Sequence, residues 1–171
     1  MKRLNLSDWL EYQQGLNSKE IDLNLTRVEE VYNALNITLP KDNIFLVGGT
    51  NGKGTTVALL EDILIQKDLK TGVYTSPHLI NYNERVCVDK NPLSDKELVN
   101  SFEHIEQFRG TVPLTYFEFG TLAAFHLLAM HECDAWIIEV GLGGRLDATN
   151  IIQSDVSIIT NIDLDHQEFL G

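Results

Sequence analysis

A glycine-rich segment with a single lysine follows an apolar stretch in this chain, and residues 46–57 read LVGGTNGKGTTV. Glycine lacks a Cβ, so the backbone N–H groups of Asn51, Gly52 and Gly54 can approach phosphate oxygens. A helix after the loop would add the positive end of its dipole, and Lys53 would add a full charge. The segment predicts a nucleoside triphosphate site, whose binding residues would be Gly49, Thr50, Asn51, Gly52, Lys53, Gly54 and Thr55.

The spacing of this loop differs from the Walker A motif, which requires a glycine, four residues and then Gly-Lys-Ser/Thr. Val47 occupies the position of the first glycine, Gly54 replaces the hydroxyl residue, and Thr55 carries a hydroxyl one residue later. The alternative is a tight strand-to-helix turn with no ligand. A turn gains nothing from a cation, so Lys53 between two glycines favours phosphate binding.

Glu139 lies at the end of an apolar run and precedes a second glycine-rich segment, residues 141–144. A carboxylate in such a run is costly unless it meets a cation, and Mg²⁺ favours oxygen ligands and nucleotide phosphates. The alternative is a strand-end glutamate that faces water or pairs with Arg145.

Two further residues are candidate metal ligands because of where they follow predicted strands. Ser76 ends the neighbouring strand, and His166 follows Asp163 and Asp165 after the last one. Ligands gather at the carboxyl ends of parallel strands. The alternatives are a turn serine before proline and a histidine with a structural hydrogen bond.

Residues 141–150 are rich in glycine and polar side chains, which predicts a loop that wraps a flat polar ligand. Asp147 would accept hydrogen bonds from ring N–H groups, and Phe117 would stack on the ring. Most phenylalanines belong to the core, and that reading of Phe117 stays open.

Composition limits the class of protein. The 171 residues carry a net charge of −12, which argues against a nucleic-acid surface. No apolar run is long enough for a bilayer, and the first residues are too polar for a secretory signal. Cys87 and Cys133 lack metal-ligand spacing and are expected to be reduced core thiols. We expect a soluble, cytoplasmic protein.

Strand and helix patterns alternate, which predicts an α/β fold: a P-loop-containing, mostly parallel sheet with helices on both faces. The expected helices are 6–13, 25–35, 55–66, about 94–108 with Ser94 and Glu97 as a capping box, and 116–130. The expected strands are 43–47, 71–75, 84–88, 135–140 and 156–160, the last two buried on both faces. The polar residues 161–166 follow the last strand.

These motifs resemble, in order, the folylpolyglutamate synthase / dihydrofolate synthase family, which is related to the Mur peptidoglycan ligases. The matching segments are 21–28, 49–55, 75–79, 83–85, 116–121, 139–150, 165–166 and 170–171. Gly54 after the loop lysine fits the folate branch, because Mur ligases typically place Thr or Ser there.

The resemblance implies an ATP-dependent amide ligase with a Mur ligase central-type domain. The acceptor's carboxylate would take the γ-phosphoryl of ATP, and L-glutamate would attack the acyl phosphate. Lys53, Glu139 and His166 would be catalytic. Ser76 and Glu139 would hold the first magnesium and His166 the second. Phe117, Asp147 and Ala148 would bind the pterin of dihydropteroate or a reduced folate.

The resemblance also implies that residues 1–171 are a partial ATP-binding domain with two N-terminal helices. The family's modified metal-binding lysine and its C-terminal domain do not occur here, so we expect no turnover by this chain alone. The parent is expected to be a monomer that acts on small molecules. Asp163 departs from the family pattern beside the second metal site. A Mur-type ligase, a P-loop ATPase or switch, and a non-catalytic remnant are the alternatives.

Overall fold

The structure is a computed structural model that describes residues 5–19, 21–22 and 24–164. Its sheet has six strands in the order β4-β3-β2-β5-β1-β6. The strands are β1 Ile44–Gly48, β2 Thr71–Tyr74, β3 Val86–Val88, β4 Asn91–Pro92, β5 Ala135–Glu139 and β6 Val156–Ile159. The strands β2, β5, β1 and β6 run parallel, while β3 and β4 add an antiparallel hairpin at one edge. The prediction of a mostly parallel α/β sheet is confirmed.

Helices cover both faces of this sheet. They are α1 Leu6–Gln14, α2 Thr26–Leu35, α3 Lys53–Ile65, α4 Asp95–Arg109 and α5 Tyr116–Met130, with 3-10 turns at Tyr82–Arg85 and Ala148–Ile151. Trp136 and Ile138 of β5 face the larger core, formed with α1, α2, α4 and α5. Ile137 faces the opposite way, into the smaller core beneath α3. This alternation buries every residue of β5, as expected for a central parallel strand.

Capping boxes fix the starts of two long helices. The hydroxyl of Ser94 accepts from the N–H of Glu97, whose carboxylate accepts from the N–H of Ser94, as the sequence predicts. Thr115 and Glu118 make the same reciprocal pair at the start of α5. Because Glu118 also lies on the wall of a cavity described below, this cap ties the start of α5 to the candidate site.

Two predicted strands differ from the structure. The predicted strand 84–88 is extended only over Val86–Val88, because residues 82–85 form a 3-10 turn in which the carboxylate of Glu84 accepts hydrogen bonds from the N–H groups of Leu79, Ile80 and Asn81. The prediction that β6 is buried on both faces is wrong. It is an edge strand, and Val156 and Ile159 are 43% and 67% exposed.

The two cysteines are free thiols, as predicted, with Cys133 buried and Cys87 half-buried. Burial raises the pKa of each thiol to about 11, so both stay protonated at neutral pH. In the described part of the chain, no helix is long and apolar enough to cross a membrane.

His126 of α5 makes the stability of the fold sensitive to acid. Its ring stacks on His104 at 4.3 Å between centroids, and its Nδ1 lies 3.0 Å from the hydroxyl of Ser101. Burial, followed by the charge of His104, lowers the pKa of His126 from 6.5 to about 4.

We expect the free energy of unfolding to fall as pH drops from 6.5 towards about 4, because the unfolded chain takes up this proton first. The His126→Gln variant should lose less stability over that range than the parent chain. Urea unfolding across the range measures this difference. Equal pH dependence in the two proteins would contradict the assignment.

Candidate active site

The parallel strands place four loops at one edge of the sheet. The loops that follow β1, β2, β5 and β6 start at residues 49, 75, 140 and 160, all at the carboxyl ends of their strands. Ligands of α/β sheets bind at this edge. The sequence-predicted residues in the described part of the chain lie at the end of β5, in the loops at this edge and the 3-10 turn that follows β5, or at the starts of α3 and α5.

The glycine loop leads directly into α3, which starts two residues earlier than predicted. Gly52 caps the helix with a φ of +82°, and no side chain caps the first turn. The N–H groups of Lys53, Gly54 and Thr55 therefore have no hydrogen-bond partner among the described residues. Free N–H groups at the positive end of a helix form an anion-binding site.

One part of the phosphate-loop prediction is wrong. The N–H of Asn51 is not free for a phosphate, because it donates to the side-chain oxygen of Asn161 at 2.8 Å. The N–H of Thr50 donates to the backbone oxygen of the same residue at 2.9 Å. The chain after β6 therefore holds the first half of the loop. The free N–H groups for a phosphate belong to its second half.

Lys53 folds back over its own loop. Its ammonium donates to the carbonyl oxygens of Gly49, at 2.8 Å, and Thr50, at 3.4 Å. A mobile cation above free N–H groups can transfer from these carbonyls to a phosphate. The position of Lys53 fits the predicted role, which stays a prediction.

Glu139 and Ser76 meet across the gap between β5 and the loop after β2. Glu139 is only 6% exposed, and its Oε2 accepts from the backbone N–H of Ser76 at 3.1 Å. Burial raises the pKa of Glu139, while the Ser76 N–H and the charge of Lys53 lower it. A water-facing glutamate is therefore excluded, and among the described residues Glu139 has no ion pair with Arg145.

The metal ligands remain predictions. Within residues 5–19, 21–22 and 24–164, no three His, Cys, Asp or Glu side chains are grouped as a metal site. His166, the predicted ligand of a second metal, lies outside the described residues, as does Asp165. Glu139 fits a cation, because its second carboxylate oxygen, Oε1, makes no hydrogen bond with the described protein.

A cavity of about 830 Å³ opens beside this edge, between the start of α5, the loop after β5 and the connection from α1 to α2. Phe117, Asp147 and Ala148 all line it, so the structure brings together the three residues predicted to bind a flat ring. Phe117 is half-buried against Gly141, where an added Cβ would lie 2.4 Å from the Phe117 ring. Phe117 therefore has one side against the loop and lines the cavity as well.

Asp147 has a structural role that the sequence did not indicate. It is 3% exposed, and its carboxylate accepts from the N–H groups of Leu142 and Thr149 and from the Thr149 hydroxyl, at 2.6–2.9 Å. Burial raises the pKa of Asp147. The carboxylate thus shapes the loop that encloses the cavity, while hydrogen bonding to a ligand ring stays a prediction.

Comparison with known proteins identifies the fold family. Residues 47–171 match the model of the Mur ligase middle domain. The chain belongs to this family. It is 51% identical to the dihydrofolate synthase/folylpolyglutamate synthase of Escherichia coli and 50% identical to that of Haemophilus influenzae, over 97% of this chain in each case. The chain spans only 39% and 38% of those relatives.

Solved structures agree with this assignment. The chain superposes with a TM-score of 0.95 on E. coli FolC in complex with DHPP and ADP, at 50% identity. It superposes with a TM-score of 0.92 on the bifunctional folylpolyglutamate synthase/dihydrofolate synthase of Yersinia pestis complexed with AMPPNP and Mn ion, at 52% identity. Each comparison covers 98% of this chain and 41% of the other. The resemblance and the fold predicted from the sequence are confirmed.

An arginine clamp between the N-terminal segment and the Mur ligase middle domain holds one wall of the cavity. Arg27 of α2 contacts both carboxylate oxygens of Glu118, at 2.9 and 3.0 Å, and the carboxylate of Asp22 at 2.8 Å. Residues 27 and 118 are 91 positions apart, so their pairing could not be predicted from local sequence. The clamp fixes the α1–α2 connection against the start of α5.

Gly49 is the glycine that this Mur ligase middle domain most needs. Its φ is +129°, and an added Cβ would lie 2.1 Å from the Thr160 hydroxyl and 2.8 Å from the Asn161 carbonyl. Gly49→Ala should destabilise the domain by about 1–3 kcal/mol and weaken ADP binding, because the loop must shift. Thermal unfolding and calorimetric titration with ADP measure the two effects.

Gly54→Ala is the matched control for stability. Gly54 has helical backbone, and an added Cβ would meet nothing within 4 Å. We expect unchanged or slightly raised stability, by up to about 1 kcal/mol, since alanine favours helix. An equal loss of stability in Gly49→Ala and Gly54→Ala would contradict the close approach of the chain at Gly49.

Proposed function

We propose that this chain is the ATP- and acceptor-binding part of a ligase that joins L-glutamate to dihydropteroate, to reduced folates, or to both. The observation that carries the proposal is the position of Ser76. Ser76 lines the 830 Å³ cavity and its N–H donates to Glu139, so one residue connects the acceptor cavity with the phosphate edge. Gly141 and Leu142 also line both this cavity and the neighbouring pocket at Lys53.

The proposed reaction needs two anionic groups to meet at this edge. The N–H groups that start α3 and the ammonium of Lys53 would orient the triphosphate and offset its charge. The cavity would hold the acceptor with its ring against Phe117 and its carboxylate towards Ser76. The carboxylate would take the γ-phosphoryl group, and the amine of glutamate would then displace phosphate and form the amide.

Magnesium would be held by Ser76 and Glu139, with His166 at a second ion, and would neutralise charge on the phosphates. The residues described fit this group, because Glu139 is a buried carboxylate with an oxygen left free by the protein. Lys53 and the Ser76 N–H both lower the pKa of this carboxylate and so oppose the larger, raising effect of burial. The metal ligands are supported by this geometry and by the relatives that contain ADP or AMPPNP and Mn.

The chain's length bears on where the rest of the reaction takes place. Because it spans about two fifths of its relatives, we propose that residues beyond this region complete the ATP and glutamate sites. Residues 1–171 would then bind without turnover. The names of the relatives favour folate acceptors over peptidoglycan precursors. We also propose that the ligase is cytoplasmic.

Product mass spectrometry tests the function. The chain, extended to the length of its relatives, receives MgATP and L-glutamate with dihydropteroate in one tube and a reduced folate in the other. We expect a glutamylated product, and the tube in which it forms identifies the acceptor. ATP hydrolysis with no glutamylated product in either tube would overturn the proposal.

The Lys53→Met variant tests the role of the loop in this reaction. We expect the ligation rate to fall by about 10²–10³, because a charge that stabilises the transferring phosphoryl is lost. Lys67→Met is the matched control, since Lys67 is exposed just beyond the other end of α3. A ligation rate of Lys53→Met within twofold of the control, a difference of about 0.4 kcal/mol in activation free energy, would contradict this role of Lys53.

A further inference from the structure

Arg85 places a buried positive charge on the wall of the acceptor cavity. It ends the 3-10 turn after the loop of Ser76, is only 8% exposed and lines the cavity. Its Nε donates to Nδ1 of His78 at 2.9 Å. The guanidinium carbon lies 5.3 Å from the ring centre of Tyr82 and 5.7 Å from that of Tyr116.

All of these neighbours are neutral. Burial raises the pKa of Tyr82 well above 10 and also raises that of Tyr116, so neither supplies a phenolate. The Nδ1 of His78 accepts the hydrogen bond from Arg85, so this nitrogen carries no proton and the imidazole adds no second positive charge. The aromatic rings attract the cation through their π faces but do not cancel its charge.

Arg85 differs in this respect from the two arginines that pair with carboxylates, half-buried Arg27 and buried Arg109. Arg27 pairs with Asp22 and Glu118, and Arg109 pairs with Glu106. No carboxylate among the described residues lies within ion-pair distance of Arg85. A buried charge is costly unless it is paired, and the open side of this guanidinium is the cavity.

We propose that Arg85 is the anion-binding residue of the cavity and that it receives a carboxylate of the acceptor. The planar guanidinium has five N–H donors, of which one binds His78 and one interacts with the Tyr74 hydroxyl, so it can still make a two-point contact with a carboxylate. The bond to His78 and the nearby rings of Tyr82 and Tyr116 hold the guanidinium in place before the ligand arrives. This inference rests on the proposed function, because it assigns a further residue to the same acceptor site.

Two acceptor carboxylates have the required chemistry. Dihydropteroate carries one, on its benzoyl ring, and this is the group that reacts. In a reduced folate that position is an amide, and the carboxylates belong to the glutamate tail. Arg85 near Ser76 would orient the reacting carboxylate in the first case and the tail in the second.

The test compares two ligands that differ only in the carboxylate. Calorimetry gives the Kd of dihydropteroate and of its anilino analogue without the carboxylate, in the extended protein. The variants are Arg85→Met, which removes the charge, and Arg85→Lys, which keeps the charge but not the fork. Lys96→Met is the control, because Lys96 is exposed on α4, away from the cavity lining.

We expect Arg85→Met to raise the Kd of dihydropteroate roughly ten- to hundredfold and to change the Kd of the anilino analogue less than about threefold. The Kd of dihydropteroate for Arg85→Lys should lie between those of the parent and Arg85→Met. The Kd for Lys96→Met should equal that of the parent. Equal weakening of both ligands would reduce Arg85 to a structural role and overturn the proposal. Unchanged binding of dihydropteroate and of a reduced folate would also overturn it.

A reduced folate with one glutamate separates the two carboxylate sources. If Arg85→Met loses affinity only for dihydropteroate, Arg85 binds the benzoyl carboxylate. If it loses affinity only for the reduced folate, Arg85 binds a carboxylate of the glutamate tail. Thermal unfolding of each variant shows whether it is folded. If the parent protein forms glutamylated product while Arg85→Met binds both acceptors normally, only this inference fails. If the parent neither binds nor glutamylates either acceptor, the proposed function fails with it.

Discussion

The parallel pairing of β5 with β2 on one side and β1 on the other is the constraint on which the rest of the structure depends. The register sets Val47 opposite Glu139 and Tyr74 opposite Ile138, so the three strands end almost level. Every loop that follows them must then leave the sheet at one edge. The glycine loop, Ser76 and the loop of Asp147 come together through this pairing, although they are distant in sequence.

Glu139 is where this arrangement carries a free-energy cost. A carboxylate that is 6% exposed at the end of a buried strand loses most of its hydration. The N–H of Ser76 and the charge of Lys53 offset part of that loss, since both lower the pKa that burial raises. One oxygen is left for a further cation. The free oxygen is consistent with the metal-binding role proposed for Glu139.

The sequence predicts features that depend on local chemistry better than those that depend on distant contacts. The bounds of α5 and the Ser94 capping box agree with the structure, because helix periodicity and a cap are both local. The meeting of Phe117, Asp147 and Ala148 in one cavity also agrees; the first two were predicted from the loop's composition, and Ala148 from the family resemblance.

Other features could not be foreseen because they arise from long-range or competing contacts. Asn161 captures the N–H of Asn51 from 110 residues away. The carboxylate of Glu84 gathers the backbone of a preceding loop and turns an extended pattern into a 3-10 turn. The neutral surroundings of Arg85 become visible only when Tyr82, Tyr116 and His78 are placed around it.

Binding of Mn²⁺ in the presence of a nucleotide tests most directly whether this edge is a phosphate and metal site. Electron paramagnetic resonance measures the free ion during titration of the protein with ADP, for the parent chain and for Glu139→Gln. The account predicts a nucleotide-dependent Mn²⁺ site whose affinity falls at least about tenfold in the variant, since a carboxylate ligand is lost. Equal Mn²⁺ affinity in both proteins would contradict it.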